Sequence, residues 1–509
     1  MNENQWKAGF AREKLTPQRD VYLGGYADAD NEINLCRYPQ DILGDVYVRV
    51  MALEQGSTRI VLVSLDACVV IEGDNIPEGT RQELAEIAGT SPELVFIGNT
   101  HNHQSFKRFE VPELEKIKKA VRTAVTDLSE CSLLYQETPN DIGVNRRPRY
   151  CIAPGLPYDN RMAFLSFVDQ KSGRIKGMAF NYPIHNTALG NGNQENWHYM
   201  SSELMGFAQQ EADRLLEEEN KGFISVFLDG FYGASGPQIN GDYKADHETI
   251  RRTGTVLGRE LAAHAGKGSP LELSYFRPLH RTVQFPINEV YGKNATQDVQ
   301  LWGINLGDLA FLGVNCEPYS ELGAALRAYS PFKHLILLGN TNGFLGYIPT
   351  ENAFDSGDEE RECRLNKTPF TRVIQSLFLK AGLAFLYELA GKRLVGIEDY
   401  RFVSVKTEGG QAVYTFEAAA DSEYQKLALD FGFDSRDNCP CDFVLEAEGK
   451  SGKITRRVFQ NNSVNFLGLG DFSESPQRLR LLVSSAYRGV NAADALFIRV
   501  RGIKIADLT

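Results

Sequence analysis

Histidine is scarce in this chain, with eight residues among 509, beside three tryptophans and six methionines. The cysteines, also eight, are Cys36, Cys68, Cys131, Cys151, Cys316, Cys363, Cys439 and Cys441. They are scattered and too few at this length for a disulfide framework. Cys439-Pro-Cys441 is a close pair, but no second pair at zinc-ribbon spacing accompanies it. Positive charge is in deficit. A formal net charge of −12 argues against a general nucleic-acid binder, because phosphate contacts need clustered Lys and Arg, but leaves room for a local basic pocket. Long apolar runs are missing too. The most apolar helical stretch, VIQSLFLKAGLAFLYELAG, is broken by Lys380 and Glu388 and is too polar for a bilayer span. The opening MNENQWKAGFAREKLTP has no apolar core of signal-peptide type. The expectation is a soluble, cytoplasmic protein without a transmembrane segment. No fixed-period repeat or low-complexity segment is visible.

What is present is alternation. RIVLVSLD (59–66), ELVFIGNTH (93–101), RMAFLSFVD (161–169) and GMAFNYPIH (177–185) read as strands. FISVFLDG (223–230), LAFLGVNCE (309–317) and HLILLGNTNG (334–343) follow the same form. Helical spacing joins Leu114, Ile117, Val121 and Val125, and again Leu204, Phe207, Glu211 and Leu215. Thr368-Pro369 is expected to start a helix that ends near Gly391. From about residue 400 helical patterns fade, and β-like runs such as YRFVSVKTE, AVYTFEAAA, RLRLLVSSA and LFIRVRGIKI are separated by Gly, Asn and Ser turns. The expected architecture is an α/β (α+β) catalytic domain with a mixed sheet over residues 1–395. A small all-β sandwich over 396–509 follows it.

Several strand-like runs end in residue types that do chemistry: Asp66, His101 with His103, His185, the block LDGFYGASGP, and Glu317. Ligands collect at the carboxyl ends of strands in such sheets, because loops there converge on one crevice. Two histidine-bearing ends and one glutamate-bearing end suit zinc, which takes imidazole nitrogen and carboxylate oxygen. In an extended segment residues 101 and 103 point to one side, so one can bind metal while the other faces substrate. Each feature has a plainer reading. A His-x-His pair also suits a strand end bonded to main chain, His185 a core histidine, and Glu317 the start of a helix at EPYSELGAALR.

These residues, taken in order, resemble the neutral/alkaline, non-lysosomal ceramidase family of zinc-dependent amidases. AGFAREKLTP with LGGYA, GDVYVRVMALEQGSTRIVLVSLD, THNHQS, NYPIHNTALG, SSELMG, NCEPYSELGAALR and TNGFLGYIPTENAF stand as ordered blocks over roughly residues 7 to 395. The resemblance implies Zn2+ held by His101, His185, Glu317 and Tyr347. It implies that His103 handles a proton, and that Arg146, or its neighbour Arg147, holds substrate. It further implies a metal-activated water that cleaves an amide (N-acyl) or ester bond, with ceramide-like lipid as the family's substrate class. Tyr347 and Arg146 would stabilise charge that develops in the transition state.

Three blocks depart from the pattern. Where the family has a serine directly before the proline of its Gly-rich block, this chain has Gly236, and Ser235 one residue earlier is the candidate for that role. A further family tyrosine is replaced by the region of Asp358 and Glu359, which would favour a polar or cationic substrate group. Glu203 stands where an aspartate is usual. Trp197 and His198, just after His185, suit a pocket wall or a loop anchor. Two other functions stay open: an intracellular hydrolase of a small polar or sugar-derived compound, and a non-catalytic binding protein. Iron or manganese suits similar ligands. The C-terminal domain suits a buttress, a carbohydrate-binding module or the subunit contact of a homo-oligomer.

Overall fold

Every run named above as a strand forms one, and in the first domain the reason is the burial of both faces. Along Thr58–Leu65, Ile60 and Leu62 enter one core while Val61 and Val63 enter another. In Val95–Asn99, Phe96 faces the first core and Val95 and Ile97 the second. A strand covered on both sides reads as a continuous apolar run. A computed structural model of the chain describes residues 6–19, 21–25, 39–145, 158–189, 198–238, 245–271, 273–354, 368–420, 422–432, 441–460, 466–485 and 497–508. Arg146, Arg147, Trp197, Asp358, Glu359 and Cys439 lie outside these residues.

Among the described residues a nine-stranded mixed sheet runs from Ile224–Asp229 at one edge to Val95–Asn99 at the other. Most neighbours are antiparallel. The two edge pairs, Thr58–Leu65 with Val95–Asn99 and Ile175–Tyr182 with Ile224–Asp229, are parallel. A four-stranded sheet packs on its inner face, and Trp302, Ile304, Phe311 and Ile336 there meet Trp6, Phe10, Met51 and Leu62. This second sheet also ends in a parallel pair, Leu309–Val314 with His334–Leu338.

Helices close the two outer faces. Helices α1 (Thr80–Ala88) and α2 (Val111–Thr126) cover one half of the large sheet through Leu84, Ile117 and Val121. Helices α3 (Glu203–Leu216) and α4 (His247–His264) cover the other half. The last two cross closely because Gly258 carries no side chain; a Cβ there would sit 2.6 Å from the Ala208 carbonyl oxygen. Helices α5 (Ser320–Tyr329) and α6 (Ile374–Leu389) cover the smaller sheet. The result is a helix–sheet–sheet–helix stack.

After it comes the β-sandwich. A four-stranded and a five-stranded antiparallel sheet enclose Tyr414, Phe416, Leu427, Leu429, Leu481 and Val500. The sandwich meets the end of α5, where Lys426 Nζ donates to the Ser330 carbonyl and the Tyr329 hydroxyl to Asp430. The mixed α/β domain followed by a small sandwich is the expected fold class. Among the described residues no helix is long and apolar enough to cross a membrane.

One expectation is corrected, and the plainer reading of Glu317 is set aside. Helix α6 starts at Ile374, not at Pro369. The residues before it are occupied otherwise: Phe370 bridges to Ile287, and Thr368 Oγ1 donates to the Tyr347 carbonyl at 2.8 Å. Glu317 does not cap α5. It pairs with Tyr347 in a short parallel bridge, and the helix starts at Ser320.

Under the large sheet lies a buried ion pair. Arg49 Nη1 donates to Asp213 Oδ2 at 2.6 Å, and Arg12 reaches the same carboxylate. Ser225 satisfies the other oxygen through N at 2.8 Å and Oγ at 2.7 Å. Removing the acid leaves a buried guanidinium without its counter-charge. Asp213→Ala is therefore expected to cost about 3–5 kcal/mol in urea unfolding. A loss under about 1 kcal/mol, the scale of an exposed pair, would show the network to be solvated.

Candidate metal centre

The three parallel strand pairs aim their carboxyl ends at one place. His101 follows Val95–Asn99, His185 follows Ile175–Tyr182, and Glu317 follows Leu309–Val314. All three are buried, and one ligand atom from each lies within 4.8 Å of the others. His101 Nδ1 is 3.5 Å from Glu317 Oε1, and His185 Nε2 is 3.6 Å from Glu317 Oε2. The Tyr347 hydroxyl lies 3.2 Å from His185 Nε2. The bridge between Glu317 and Tyr347 brings these two residues to the same spot.

The main chain sets the tautomers. His185 Nδ1 lies 2.8 Å from the Ser235 carbonyl oxygen and 3.0 Å from that of Tyr232. A carbonyl only accepts, so Nδ1 carries the proton and Nε2 keeps its lone pair. His101 Nδ1 lies 3.0 Å from the Cys68 carbonyl oxygen, so its proton sits there as well; unlike in His185, this is also the nitrogen 3.5 Å from Glu317, and Nε2 with its lone pair lies 3.1 Å from His103 Nε2. Metal-binding imidazoles are held in this manner, one nitrogen on an acceptor and the other toward the ion. Glu317 Oε2, buried and without a hydrogen-bond partner among the described residues, adds an unshared oxygen. The donor set therefore fits a divalent cation.

Charge is arranged accordingly. Burial would push the Glu317 carboxyl up, but His101 and His185, where their rings carry charge, and the Asn340 amide outweigh it and hold it at about 2. Asp229, at the end of the neighbouring strand, goes the other way. Burial, then the charge of Glu317, pushes it well above the usual carboxylate range. Burial likewise raises Asp66 to about 6, against the pull of the Tyr47 N–H, Arg49 and Thr100.

The other expected site residues are placed as follows. His103 sits beside His101 with Nε2 to Nε2 at 3.1 Å, and is partly exposed. Strand alternation is not the cause of this contact. His101 has φ +53, so the chain turns there and folds the two rings together at 4.7 Å between centroids. Gly25 backs the His103 ring at φ +94, where a Cβ would stand 2.4 Å from its Cγ. Ser235 supplies the carbonyl that orients His185, while its hydroxyl donates to Ser320 Oγ at 3.1 Å. Glu203, buried at φ +54, accepts the Leu189 N–H at 2.9 Å and pins the loop after His185.

Two residues given no role from sequence complete the centre. Asn340 Nδ2 donates to Glu317 Oε1 at 3.1 Å and to the Tyr232 hydroxyl at 2.5 Å. Tyr232 in turn reaches His101 Nδ1 at 3.0 Å. Both lie in blocks already marked by polar strand ends, LDGFYGASGP and HLILLGNTNG, but nothing in those strings singles them out.

Two outcomes are expected. Asn340→Ala frees Glu317 and Tyr232 together, and should weaken divalent-metal affinity about 10–100-fold in chelator competition. Unchanged affinity would deny Asn340 this positioning role. Separately, burial raises the Glu203 carboxyl from 4.5 to about 8, against backbone N–H bonds from Leu189, Ala188 and Leu204. A carboxyl whose folded pKa is raised favours folding below its unfolded pKa, and that contribution is lost as pH rises to about 8. Glu203→Gln should match the parent near pH 4.5 and exceed its stability increasingly toward pH 8. Parallel stability curves from pH-dependent melting would count against a buried, proton-holding Glu203.

No protein-family model and no curated protein matches the chain. Solved structures do. One described as a ceramidase complexed with C2 superposes with a TM-score of 0.59 at 15% identity, covering 96% of this chain and 94% of that one. The neutral ceramidase from Pseudomonas aeruginosa superposes with a TM-score of 0.59 at 15% identity, covering 99% of both chains. The protein thus shares the fold of these two structures, and it carries a His/His/Glu cluster capable of chelating a divalent metal at its strand ends.

Proposed function

We propose that the protein is a zinc-dependent hydrolase that cleaves an amide (N-acyl) or ester bond. One observation carries this reading: His101, His185 and Glu317, far apart in the chain, meet with tautomers and charge suited to a cation. Tyr347, 3.2 Å from His185 Nε2, is the fourth ligand in this reading. Residues 1–395 carry the hydrolase, and 396–509 form an accessory sandwich. The ion, when bound, supplies Lewis acidity and a nucleophilic water at neutral pH.

The chain's own groups do the rest. His103 stands at the partly exposed edge of the cluster, where a substrate can reach it. Its Nε2 takes a proton as water attacks the acyl carbon, then returns it to the departing nitrogen or oxygen. The Tyr347 hydroxyl and Arg146 stabilise the charge gathering on the carbonyl oxygen. Arg146 follows directly on Gly143–Asn145, which pairs with Ser235–Pro237 beside His185. Ser235 serves through its carbonyl, keeping His185 in its ligating tautomer. The substrate class proposed is an N-acyl lipid of ceramide type, on the strength of the shared fold with the ceramidases named above.

The test has two parts. Purified protein should contain zinc, lose hydrolysis on chelation and regain it on zinc addition, in a screen spanning N-acyl lipids and acylated sugars. Turnover confined to acylated sugars would keep the chemistry and reject the lipid. No turnover from zinc-loaded protein on any member would favour a binding protein. His103→Ala should lower kcat at least about 100-fold with zinc content unchanged, and a fall in zinc matching the fall in turnover would make His103 a ligand instead.

A further inference from the structure

A second group of metal-binding side chains adjoins the first. Cys68, His101 and His103 each present one ligand atom within 4.8 Å of the others. Cys68 and His103 are partly exposed, while His101 is buried between the two sets. Tetrahedral zinc with bonds of about 2.0 Å to nitrogen places its ligands about 3.3 Å apart. The 3.1 Å between His101 Nε2 and His103 Nε2 is close to that spacing. A thiolate completes a softer set than Glu317 does, since sulfur prefers softer cations and carboxylate harder ones.

His101 belongs to both sets but has one lone pair to give. Its Nδ1 proton is held by the Cys68 carbonyl oxygen at 3.0 Å, so Nε2 alone ligates. Two ions cannot share one neutral imidazole nitrogen. The sets therefore compete.

We propose that Cys68, His101 and His103 form a second, softer position for the same divalent ion, alternative to His101, His185 and Glu317. On binding, Cys68 gives up its thiol proton to solvent, and the proton that His103 Nε2 shares with His101 Nε2 moves to His103 Nδ1, which leaves both Nε2 lone pairs for the ion. An ion held there occupies His103 Nε2, the atom that moves the proton in the reading above, so this position is an inactive store. That last clause rests on the proposed hydrolase, whereas the position itself does not.

Cobalt reports on it without any turnover assay. Metal-free protein is loaded with one equivalent of Co2+, and the near-ultraviolet thiolate-to-cobalt charge-transfer band is read together with bound metal. The parent is expected to show the band. Glu317→Gln, which weakens the harder set, should strengthen it. Cys68→Ser and Cys68→Ala should abolish it while still binding one ion through the harder set. The proposal is overturned if neither the parent nor Glu317→Gln shows the band, or if the band survives in both Cys68 variants. It is overturned as well if those variants stay folded but bind no cobalt, because Cys68 would then belong to a single shared site. Absence of hydrolysis by zinc-loaded Cys68→Ser would count against the hydrolase and leave the cobalt result standing.

Discussion

The carbonyl oxygens of Ser235 and Tyr232 hold the Nδ1 proton of His185, and the rest of the centre depends on that contact. It turns the free lone pair of Nε2 toward Glu317 and Tyr347. Without it the ring could present a proton there, and a cation would meet an N–H instead of a ligand. The contact exists because the segment after Ile224–Asp229 folds back over the end of Ile175–Tyr182, its partner in a parallel pair. Parallel pairing puts the carboxyl ends of both strands at one edge, so the residues that follow them become neighbours.

The same arrangement occurs twice more. Val95–Asn99, paired with Thr58–Leu65, delivers His101, and the loop of Cys68 accepts its Nδ1 proton. Leu309–Val314, paired with His334–Leu338, delivers Glu317, and Asn340 binds its carboxylate. In each pair one strand contributes a residue able to ligate a cation and the other a group that orients it. The two facing sheets bring the three pairs together, with the large apolar core between them as the common foundation.

The electrostatics follow from burial. A carboxylate removed from water stays ionised only where positive or hydrogen-bonding groups compensate. Glu317 faces both imidazoles and the Asn340 amide and is held low, whereas for Asp229 and Glu203 burial outweighs the hydrogen bonds they accept and pushes them up. Of these buried acids, the metal centre keeps as an anion the one that faces both imidazoles. Backbone at positive φ supports it at His101, Glu203 and Asn340, each in contact with the centre or with the loop leading from it. Such conformations are uncommon for residues other than glycine and gather at functional sites.

Much of this was legible from residue order. Apolar runs such as RIVLVSLD and LAFLGVNCE exposed the buried strands, because double burial leaves no polar face. The chemistry at their ends marked His101, His185 and Glu317, since a strand end is where an α/β sheet presents side chains. The loss of helical spacing after about residue 400 marked the sandwich. Less was legible where contacts join distant segments. Pro369 looked like a helix start, but its neighbours are used to tie Tyr347 and Ile287 in place. Tyr232 and Asn340 gave no local signal, for their roles exist only once two sheets meet. That His101 and His103 stand ring to ring comes from a left-handed turn at His101, which alternation along a strand could not foretell. A linear pattern records which residues avoid water and which carry lone pairs; which lone pair faces which, across hundreds of residues, is settled by packing alone.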